Sequence, residues 1–399
     1  MKISRIDAYA VTVPIEAPIR HSYGVHLAFT RTIVELHTDE GIVGLAETAA
    51  SPEQVMSSGG AAIGLNPFDL EVIRQRVSGR FYWSQDPLVA AAVEIACVDI
   101  MGKALGEPAY RILGGKVRDG MTVAAYLFYR YASGGQPDVG TPEEMSDHAQ
   151  SLVDRFGFGT VKLKGGVLDP EMEVRTIERL REDLPEDTKL RFDPNAAWVP
   201  ATATRYAPRF EAAGLEYYED PAPGIEGMAT VRSRTNLPLA TNMCVVDFPQ
   251  LVPAVRRGAI DVVLSDPWYW GGPTRTRTLA QMCHTLGISM GMHSSIELGI
   301  GMAVMAHTGV TIPNLTLAAD AHYHHATDDI IAGDMLLPSN GIVTPPEGPG
   351  WGVELDPEKV TRYRRLHDEG SYANVYVAAD STAGPDERRP GWRPVMPAW

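Results

Sequence analysis

The sequence predicts an α/β protein in which a (β/α)8-type barrel carries an α+β capping domain. Between residues 121 and 330, short strand-like runs each end in a polar residue and are followed by a segment with helical spacing. The residues at those ends are Tyr126, Lys164, Asp193, Glu219, Asn242, Asp266, His293 and Asp320. After the first, they are separated by 29, 26, 23, 24, 27 and 27 residues, which is the length of one strand–helix unit. Eight such units predict a barrel with its chemistry at the carboxyl ends of the strands.

The capping domain is predicted from residues 1–120. The run ISRIDAYAVTV alternates between apolar and polar side chains, and RTIVELHTDEGIVGLAE alternates on both sides of a turn at Gly41, as antiparallel strands do. The segment DPLVAAAVEIACVDIMGKALG has the apolar spacing of a helix that ends at Gly106. Residues 331–399 are expected to complete this domain, and the proline- and arginine-rich stretch 381–399 is expected to lie on the surface or against another subunit.

Composition narrows the possible partners. The chain has 399 residues, 44% of them hydrophobic, which is enough for a large core. Its net charge of −15 argues against nucleic acid and anionic membrane surfaces. Three widely spaced cysteines fit no disulfide or zinc pattern, and no run is apolar enough for a signal peptide or a membrane span, so we expect a cytoplasmic protein.

Three polar residues close successive strands in the segments LRFDPNAAW, YYEDPA and LATNMCVV. Asp193, Glu219 and Asn242 are expected to converge, because neighbouring parallel strands end at the same side of the barrel mouth. Hard oxygen ligands suit Mg²⁺, which leaves coordination positions for water and substrate. Each residue alone would also fit a helix cap or a turn, but the even spacing of the three favours a metal site.

The segment VKLKGG places Lys162 and Lys164 on one face of the strand that precedes the metal ligands. Two ammonium groups there repel each other unless an anion lies between them. Crowding near a divalent cation is expected to lower a lysine pKa, so that Lys164 acts as a base and Lys162 as an electrostatic partner.

Asp266 and His293 end later strands, on the far side of the barrel. Asp266 is expected to accept a hydrogen bond from one ring nitrogen of His293, which leaves the other nitrogen for proton transfer. The alternative is a core histidine and a helix-capping aspartate. With the cation and the lysines, the arrangement suits removal of the weakly acidic proton beside a carboxylate, because negative charge then develops next to the metal.

The motifs resemble those of the enolase superfamily, and within it the glucarate dehydratase group. The resemblance covers roughly residues 25–357 and is carried by KLK, DPN, EDP, ATNM, AYLFY, GFGTVKLKGGV, LSDPWYW, AQMCH, GMHSS and PPEGPGWGVELD. Asn242 stands where most members of the superfamily have a carboxylate, as in the glucarate dehydratase group. The resemblance implies a Mg²⁺-dependent lyase that dehydrates an acid sugar to a 2-keto-3-deoxy acid, with glucarate as the leading substrate. It also implies a homo-oligomer.

The same resemblance implies roles for individual residues. Lys164 and the His293–Asp266 dyad would flank the α-carbon as bases for opposite configurations, while Lys162 and Asn195 would polarise the substrate carboxylate.

The resemblance also provides substrate-binding candidates, namely His26, Ser294 and Asp320. The sequence departs from the group at Ser295, where an asparagine usually follows the His-Ser pair, and in the loop HSYGVH, where His21 replaces a small polar amide.

Other interpretations remain open at this point. Another aldarate or aldonate dehydratase would use the same groups, and a racemase or epimerase of a 2-hydroxy acid would use both bases without elimination. A non-catalytic relative would be expected to lack a ligand or a base, and all are present. The histidines of HYHHATDD, which are His322, His324 and His325, are expected to be loop residues rather than a second metal site, with His322 near the active site.

Overall fold

A computed structural model describes residues 1–78, 87–370, 372 and 399. The N-terminal part is an antiparallel sheet of three strands in the order β1 (Ile3–His21), β2 (Gly24–Thr38) and β3 (Val43–Thr48). Strands β1 and β2 form a long hairpin that turns between His21 and Gly24. The tip of the hairpin therefore extends beyond the part of the sheet in which β3 pairs with β2.

Helices follow this sheet along the chain. They are α1 (Pro52–Gln54), α2 (Leu70–Val77), α3 (Pro87–Leu105) and α4 (Ala109–Ile112). Helix α3 is apolar on nearly all sides and packs against β3, as expected for a helix buried between two layers. The approach is close at Gly44, where a Cβ atom would lie 2.1 Å from the carbonyl oxygen of Ala96. Helix α3 ends before Gly106, whose φ of +67° is a left-handed conformation that suits glycine.

The second part of the chain is a curled parallel sheet. Its strands follow the short strand β4 (Met121–Thr122), and they are β5 (Ala125–Phe128), β6 (Thr160–Lys164), β7 (Lys189–Asp193), β8 (Leu215–Glu219), β9 (Leu239–Thr241), β10 (Val262–Ser265) and β11 (Ser289–Met292). They are hydrogen-bonded in sequence order. The helices that follow them are α5 (Pro142–Phe156), α6 (Pro170–Asp183), α7 (Pro200–Ala212), α8 (Gly224–Arg232), α9 (Phe248–Arg257), α10 (Pro273–Leu286) and α11 (Gly299–Gly309).

The barrel closes differently from the eight regular units that the sequence predicts. Residues 315–320 lie in the eighth position and form only isolated parallel bridges, Leu315 with Met290 and Ala319 with Val123. The amide of Asp320 also donates to the carbonyl of Met292 at 2.9 Å. The segment therefore joins β11 to the start of the barrel without becoming a continuous strand.

In this segment, one backbone carbonyl bonds to a buried side chain in place of a neighbouring strand. Arg191 Nη1 donates to the carbonyl oxygen of Ala318 at 2.7 Å. Because this carbonyl bonds to a side chain inside the barrel, it is directed away from a strand neighbour. The irregular segment is thus held by a buried side chain as well as by backbone bridges.

The C-terminal part returns to the N-terminal sheet. Strand β12 (Ile342–Val343) pairs with β4, and helix α12 (Pro357–Asp368) packs against β1, where Thr12 Oγ1 and His367 Nδ1 lie 3.1 Å apart. The predicted surface position of residues 381–399 lies outside the described residues, except for Trp399. The backbone of Trp399 exchanges hydrogen bonds with Ala197 and Val199.

Two further features of the described residues concern the cysteines and the length of the apolar helices. Cys97, Cys244 and Cys283 are buried and are free thiols. Within residues 1–78 and 87–370, no helix is both long and apolar enough to cross a membrane.

Candidate active site

The predicted strand ends coincide with the carboxyl edge of the parallel sheet. Lys164, Asp193 and Glu219 are the last residues of β6, β7 and β8. Directly after β9, β10 and β11 come Asn242, Asp266 and His293. Tyr126 differs, because β5 continues to Phe128 and Tyr126 pairs in register with Lys162 instead of ending the strand.

Two carboxylates and an amide converge near the centre of this edge. Asp193 and Glu219 are fully buried. Lys162 Nζ lies 2.5 Å from Glu219 Oε2 and 3.5 Å from Asp193 Oδ2, so the carboxylates are close neighbours. Among the described residues, neither Glu219 Oε1 nor Asn242 Oδ1 has a hydrogen-bond partner, although both atoms are buried. Buried oxygen lone pairs without donors are costly, and a hard divalent cation would satisfy them.

The backbone holds Asn242 in place. Asp220, the residue after Glu219, accepts hydrogen bonds from the amide of Asn242 at 2.9 Å and from the hydroxyl of Thr241 at 2.6 Å. Asp220 therefore links the ends of β8 and β9, and Asn242 is oriented by its backbone while its side-chain oxygen is left for a ligand. This donor set fits Mg²⁺.

The two lysines are bonded to these carboxylates. Lys162 Nζ contacts Asp320 Oδ2 at 2.6 Å in addition to Glu219. Lys164 Nζ donates to Asp193 Oδ2 at 2.5 Å and to Asn195 Oδ1 at 2.9 Å. Both ammonium groups also lie over the ring of Tyr126, at 4.8 Å and 5.8 Å from its centroid.

The protein groups alone do not lower the lysine pKa values. Burial is the largest single effect and lowers the pKa of Lys164, but Asp193 and Tyr126 together reverse it and the pKa is raised. Burial likewise lowers the pKa of Lys162, and Asp320 and Glu219 reverse the direction. The lowering expected from the sequence depends on a cation, because positive charge on the same carboxylates would remove the attraction that favours the ammonium form.

The loops after the strands are conformationally strained at the site. Asn195, Ala196, Asp220 and Ile296 have φ angles of 57°, 56°, 35° and 64°. Left-handed backbone is unfavourable for residues other than glycine, and it persists where surrounding structure fixes it. At Asn195 the amide donates to Asp193 Oδ1 at 2.7 Å, which directs the side chain toward Lys164.

Asp266 and His293 form the predicted hydrogen-bonded pair. His293 Nδ1 lies 2.9 Å from Asp266 Oδ2, which also accepts from Ser295 Oγ at 2.9 Å. The other oxygen, Oδ1, accepts from the amides of Trp268 and Tyr269 at 2.8 and 2.7 Å. Because every neighbour of the carboxylate is a donor, the proton of the pair belongs on Nδ1. In the neutral ring, the lone pair is then on His293 Nε2.

A cavity of about 80 Å³ is lined by both Lys164 and His293. Its lining consists of His21, Tyr23, Tyr126, Lys164, Asn195, Tyr269, His293, Ser294, Ser295, Ile296 and His322. The tip of the β1–β2 hairpin thus reaches the barrel mouth, and Ser22 Oγ lies 3.4 Å from Asn195 Nδ2. Neither Tyr23 nor Tyr269 is predicted as a site residue from the sequence. A two-residue turn between alternating runs could have indicated the hairpin tip, but not what it touches.

Two of the predicted substrate contacts lie away from this lining. His26 is fully buried behind His21, with ring centroids 4.2 Å apart. Asp320 is buried beneath Lys162. The physical reason differs for the two: His26 shares a face of the hairpin with His21 but lies further from the tip, whereas Lys162 holds Asp320 as its counterion.

The third predicted substrate contact, Ser294, does line the cavity, but its hydroxyl is already engaged. Ser294 Oγ lies 2.5 Å from Glu297 Oε2 and 2.6 Å from His322 Nδ1. Of the clustered histidines, His322 lines the cavity while His324 and His325 do not.

Comparison with known families places this site in context. Residues 5–114 match the mandelate racemase / muconate lactonizing enzyme N-terminal domain, and residues 144–360 match the enolase C-terminal domain-like family. The chain belongs to the enolase superfamily. The family resemblance and the fold class expected from the sequence, a (β/α)8 barrel with a capping domain, are confirmed.

Individual relatives cover almost the whole chain. The sequence is 37% identical to a probable glucarate dehydratase of Streptomyces coelicolor, over 96% of both chains. It is 28% identical to an N-succinyl-L-Arg/Lys racemase of Bacillus cereus, over 92% of this chain and 99% of the relative. An enolase from Thermobispora bispora, whose crystal structure is a complex with magnesium and formate, superposes with a TM-score of 0.90 at 37% identity and covers both chains fully.

Proposed function

We propose that the protein is a Mg²⁺-dependent acid-sugar dehydratase, with glucarate as the leading substrate. One observation carries the proposal: Lys164 and His293 line the same small cavity, beside a buried set of two carboxylates and an amide with unsatisfied oxygen atoms. A substrate carboxylate and its α-carbon placed there would lie between two bases. The similarity to the probable glucarate dehydratase supports the substrate class.

Asp193, Glu219 and Asn242 would hold the cation. When bound, Mg²⁺ would neutralise the negative charge that develops on the substrate carboxylate as the α-proton leaves. The two carboxylates give these three residues a charge of −2, which would balance the charge of Mg²⁺. A carboxylate substrate would then add to a neutral metal site. Asn195 and the lysines contribute hydrogen-bond donors and positive charge at the same place.

His293 is the group best prepared for proton transfer. Its Nδ1 proton is held by Asp266, so Nε2 can take the α-proton and the carboxylate stabilises the imidazolium that forms. The C–H electron pair then forms the double bond, the C–O bond to the β-hydroxyl breaks, and the imidazolium proton leaves with that oxygen as water. The enol product rearranges to a 2-keto-3-deoxy acid. Lys164 would serve the epimer whose α-proton points the other way.

A substrate screen tests this function directly. The purified protein with Mg²⁺ would be incubated with mono- and diacid sugars, and 2-keto products would be detected as semicarbazones. We expect a signal with an aldarate, which needs both Mg²⁺ and His293. A product that forms equally in EDTA would contradict the metal-dependent mechanism.

A racemase or epimerase of a 2-hydroxy acid is the second candidate, because two bases line one cavity. The B. cereus racemase supports this alternative. Incubation in deuterium oxide separates the two functions. Racemisation gives exchange of the α-hydrogen and inversion of the recovered substrate, whereas dehydration consumes the substrate and gives a keto acid.

A further inference from the structure

A second buried hydrogen-bonded set lies beside the cavity and is not used by the proposed proton transfers. It consists of Glu297, Ser294 and His322, whose exposed fractions are 0%, 1% and 4%. Ser294 Oγ lies 2.5 Å from Glu297 Oε2 and 2.6 Å from His322 Nδ1. His322 Nε2 is buried and has no hydrogen-bond partner among the described residues, although the ring lines the cavity.

The direction of these hydrogen bonds follows from the number of available protons. Ser294 has one hydroxyl proton, and an ionised Glu297 can only accept, so that proton lies toward Glu297 Oε2. Ser294 Oγ must then accept from its other neighbours. One is the backbone amide of His322 at 3.1 Å, and the other is the ring Nδ1 of His322, which therefore carries a proton.

The ionised form of Glu297 is favoured by its other oxygen. Oε1 accepts from the amides of His322 and Tyr323 at 2.7 and 3.1 Å. Burial raises the pKa of Glu297, while the hydroxyl of Ser294 and these amides oppose the rise. A protonated Glu297 would donate to Ser294 Oγ, whose own proton would then face His322 Nδ1, and the ring proton would lie on Nε2.

The surroundings of His322 keep its ring neutral. The rings of Tyr126 and Phe128 lie 4.8 and 5.2 Å away, Phe29 lies 5.9 Å away, and His21 lies 6.1 Å away. Among the described residues, Glu297 is the only carboxylate that is hydrogen-bonded to Ser294 or His322, and it is linked to the ring through Ser294. A neutral ring with a proton on Nδ1 has a lone pair on Nε2.

We propose that Glu297 and Ser294 are positioning residues that hold His322 with an unprotonated Nε2 at the cavity wall, where it accepts a hydrogen bond from a substrate hydroxyl. A carboxylate at this position would meet a lone pair and would be disfavoured. The inference rests on the proposed function for the identity of the substrate, but the state of the ring can be measured without turnover.

Glu297→Gln tests the direction of these hydrogen bonds with minimal change in the shape of the side chain. The two backbone amides fix an oxygen at the Oε1 position, so the new NH₂ group must face Ser294 and donate to it. Ser294 then donates to Nδ1, and the ring proton moves to Nε2. We expect long-range ¹H–¹⁵N spectra of protein labelled with ¹⁵N-histidine to show protonated Nδ1 in the native chain and protonated Nε2 in the variant. His322→Gln assigns the signal by its loss.

Glu173→Gln is the matched control. Glu173 is also fully buried and accepts from backbone amides, those of Gly166, Val167 and Leu168, but it lies outside the cavity lining. Its replacement should leave the His322 ring unchanged. A native ring with protonated Nε2, or a ring that Glu297→Gln leaves unaltered, would overturn the proposal whether or not any acid sugar reacts.

Kinetics add a second readout once a substrate is known. Glu297→Gln should raise KM by about tenfold for the native substrate, since one buried hydrogen bond is mismatched, and change kcat less. The variant should lose its preference for that substrate over the analogue that lacks the contacting hydroxyl. Equal discrimination by native protein and variant would contradict the hydroxyl contact. Failure of all acid sugars with the predicted tautomers in place would contradict the proposed function instead.

Discussion

At the residue scale, the two proposed bases have different hydrogen-bond partners, and this difference predicts separable roles. His293 is oriented by a carboxylate, whereas Lys164 is bonded directly to Asp193. Replacing His293 with Asn removes the base and the proton donor, so dehydration of one epimer should fall by about 10²–10⁴-fold. Exchange of the α-proton by Lys164 should continue for the other epimer. Turnover assays and α-deuterium exchange followed by NMR measure both.

The exposed His284 offers a matched substitution, because His284→Asn changes the same residue type on the outer face of α10 and should leave both rates unchanged. If His293→Asn dehydrates both epimers at the native rate, the dyad has no part in the mechanism.

In the proposed metal site, the neutral amide of Asn242 would set the total charge. Asn242→Asp adds a negative charge beside Asp193 and Glu219, so it should tighten cation binding and weaken an anionic substrate by about tenfold or more. Calorimetric titration with Mg²⁺ and the KM of the identified substrate measure the two effects. Asn236→Asp, on an exposed loop, controls for net charge. An unaltered KM would show that charge balance does not govern substrate binding.

At the scale of elements, Arg191 connects the irregular eighth segment to the rest of the barrel. It is fully buried, donates to Glu216 and to the carbonyl of Ala318, both at 2.7 Å, and lies 3.6 Å from Asp320. Arg191→Met leaves these acceptors without their donor, so the free energy of unfolding should fall by about 3–5 kcal/mol. Urea unfolding followed by circular dichroism measures it.

A surface arginine gives the comparison for that prediction. The side chain of Arg175 is 63% exposed and pairs with Glu171 within one helix. Arg175→Met should change stability by less than about 0.5 kcal/mol. Equal effects of the two substitutions would show that Arg191 does not hold the barrel closed.

The sequence predicts those elements whose chemistry is local. Strand ends follow from polar residues at regular spacing, so the neighbours of Asp193 and Glu219 could be deduced before the fold was known. The contacts made by the hairpin tip could not, because His21 meets the barrel only through long-range packing. The same holds for Ser294, since its partner His322 is brought to it by the closing segment. The irregular eighth position involves Arg191, and the periodicity of the sequence does not reveal that this side chain is buried inside the barrel.

At the scale of the whole molecule, the buried carboxylates are expected to couple folding to cation binding. Asp193, Glu219 and Asp320 lie around one lysine inside a chain whose net charge is already −15. Like charges at this distance destabilise the fold, and a cation that binds only the folded state removes the repulsion. Mg²⁺ at about 100 times its dissociation constant should therefore add about 2.7 kcal/mol to the free energy of unfolding.

Thermal melts with Mg²⁺ and then with excess EDTA measure this coupling. We expect the melting temperature to rise with Mg²⁺ and to return with EDTA, because the cation is bound reversibly. Glu219→Gln should reduce the rise, since it removes one ligand charge while keeping the shape of the side chain. Glu182→Gln, at the exposed end of α6, changes the same residue type and should preserve the rise. A melting temperature that neither Mg²⁺ nor EDTA moves would show that these carboxylates do not hold a cation, and the unpaired oxygens of Glu219 and Asn242 would then need another explanation.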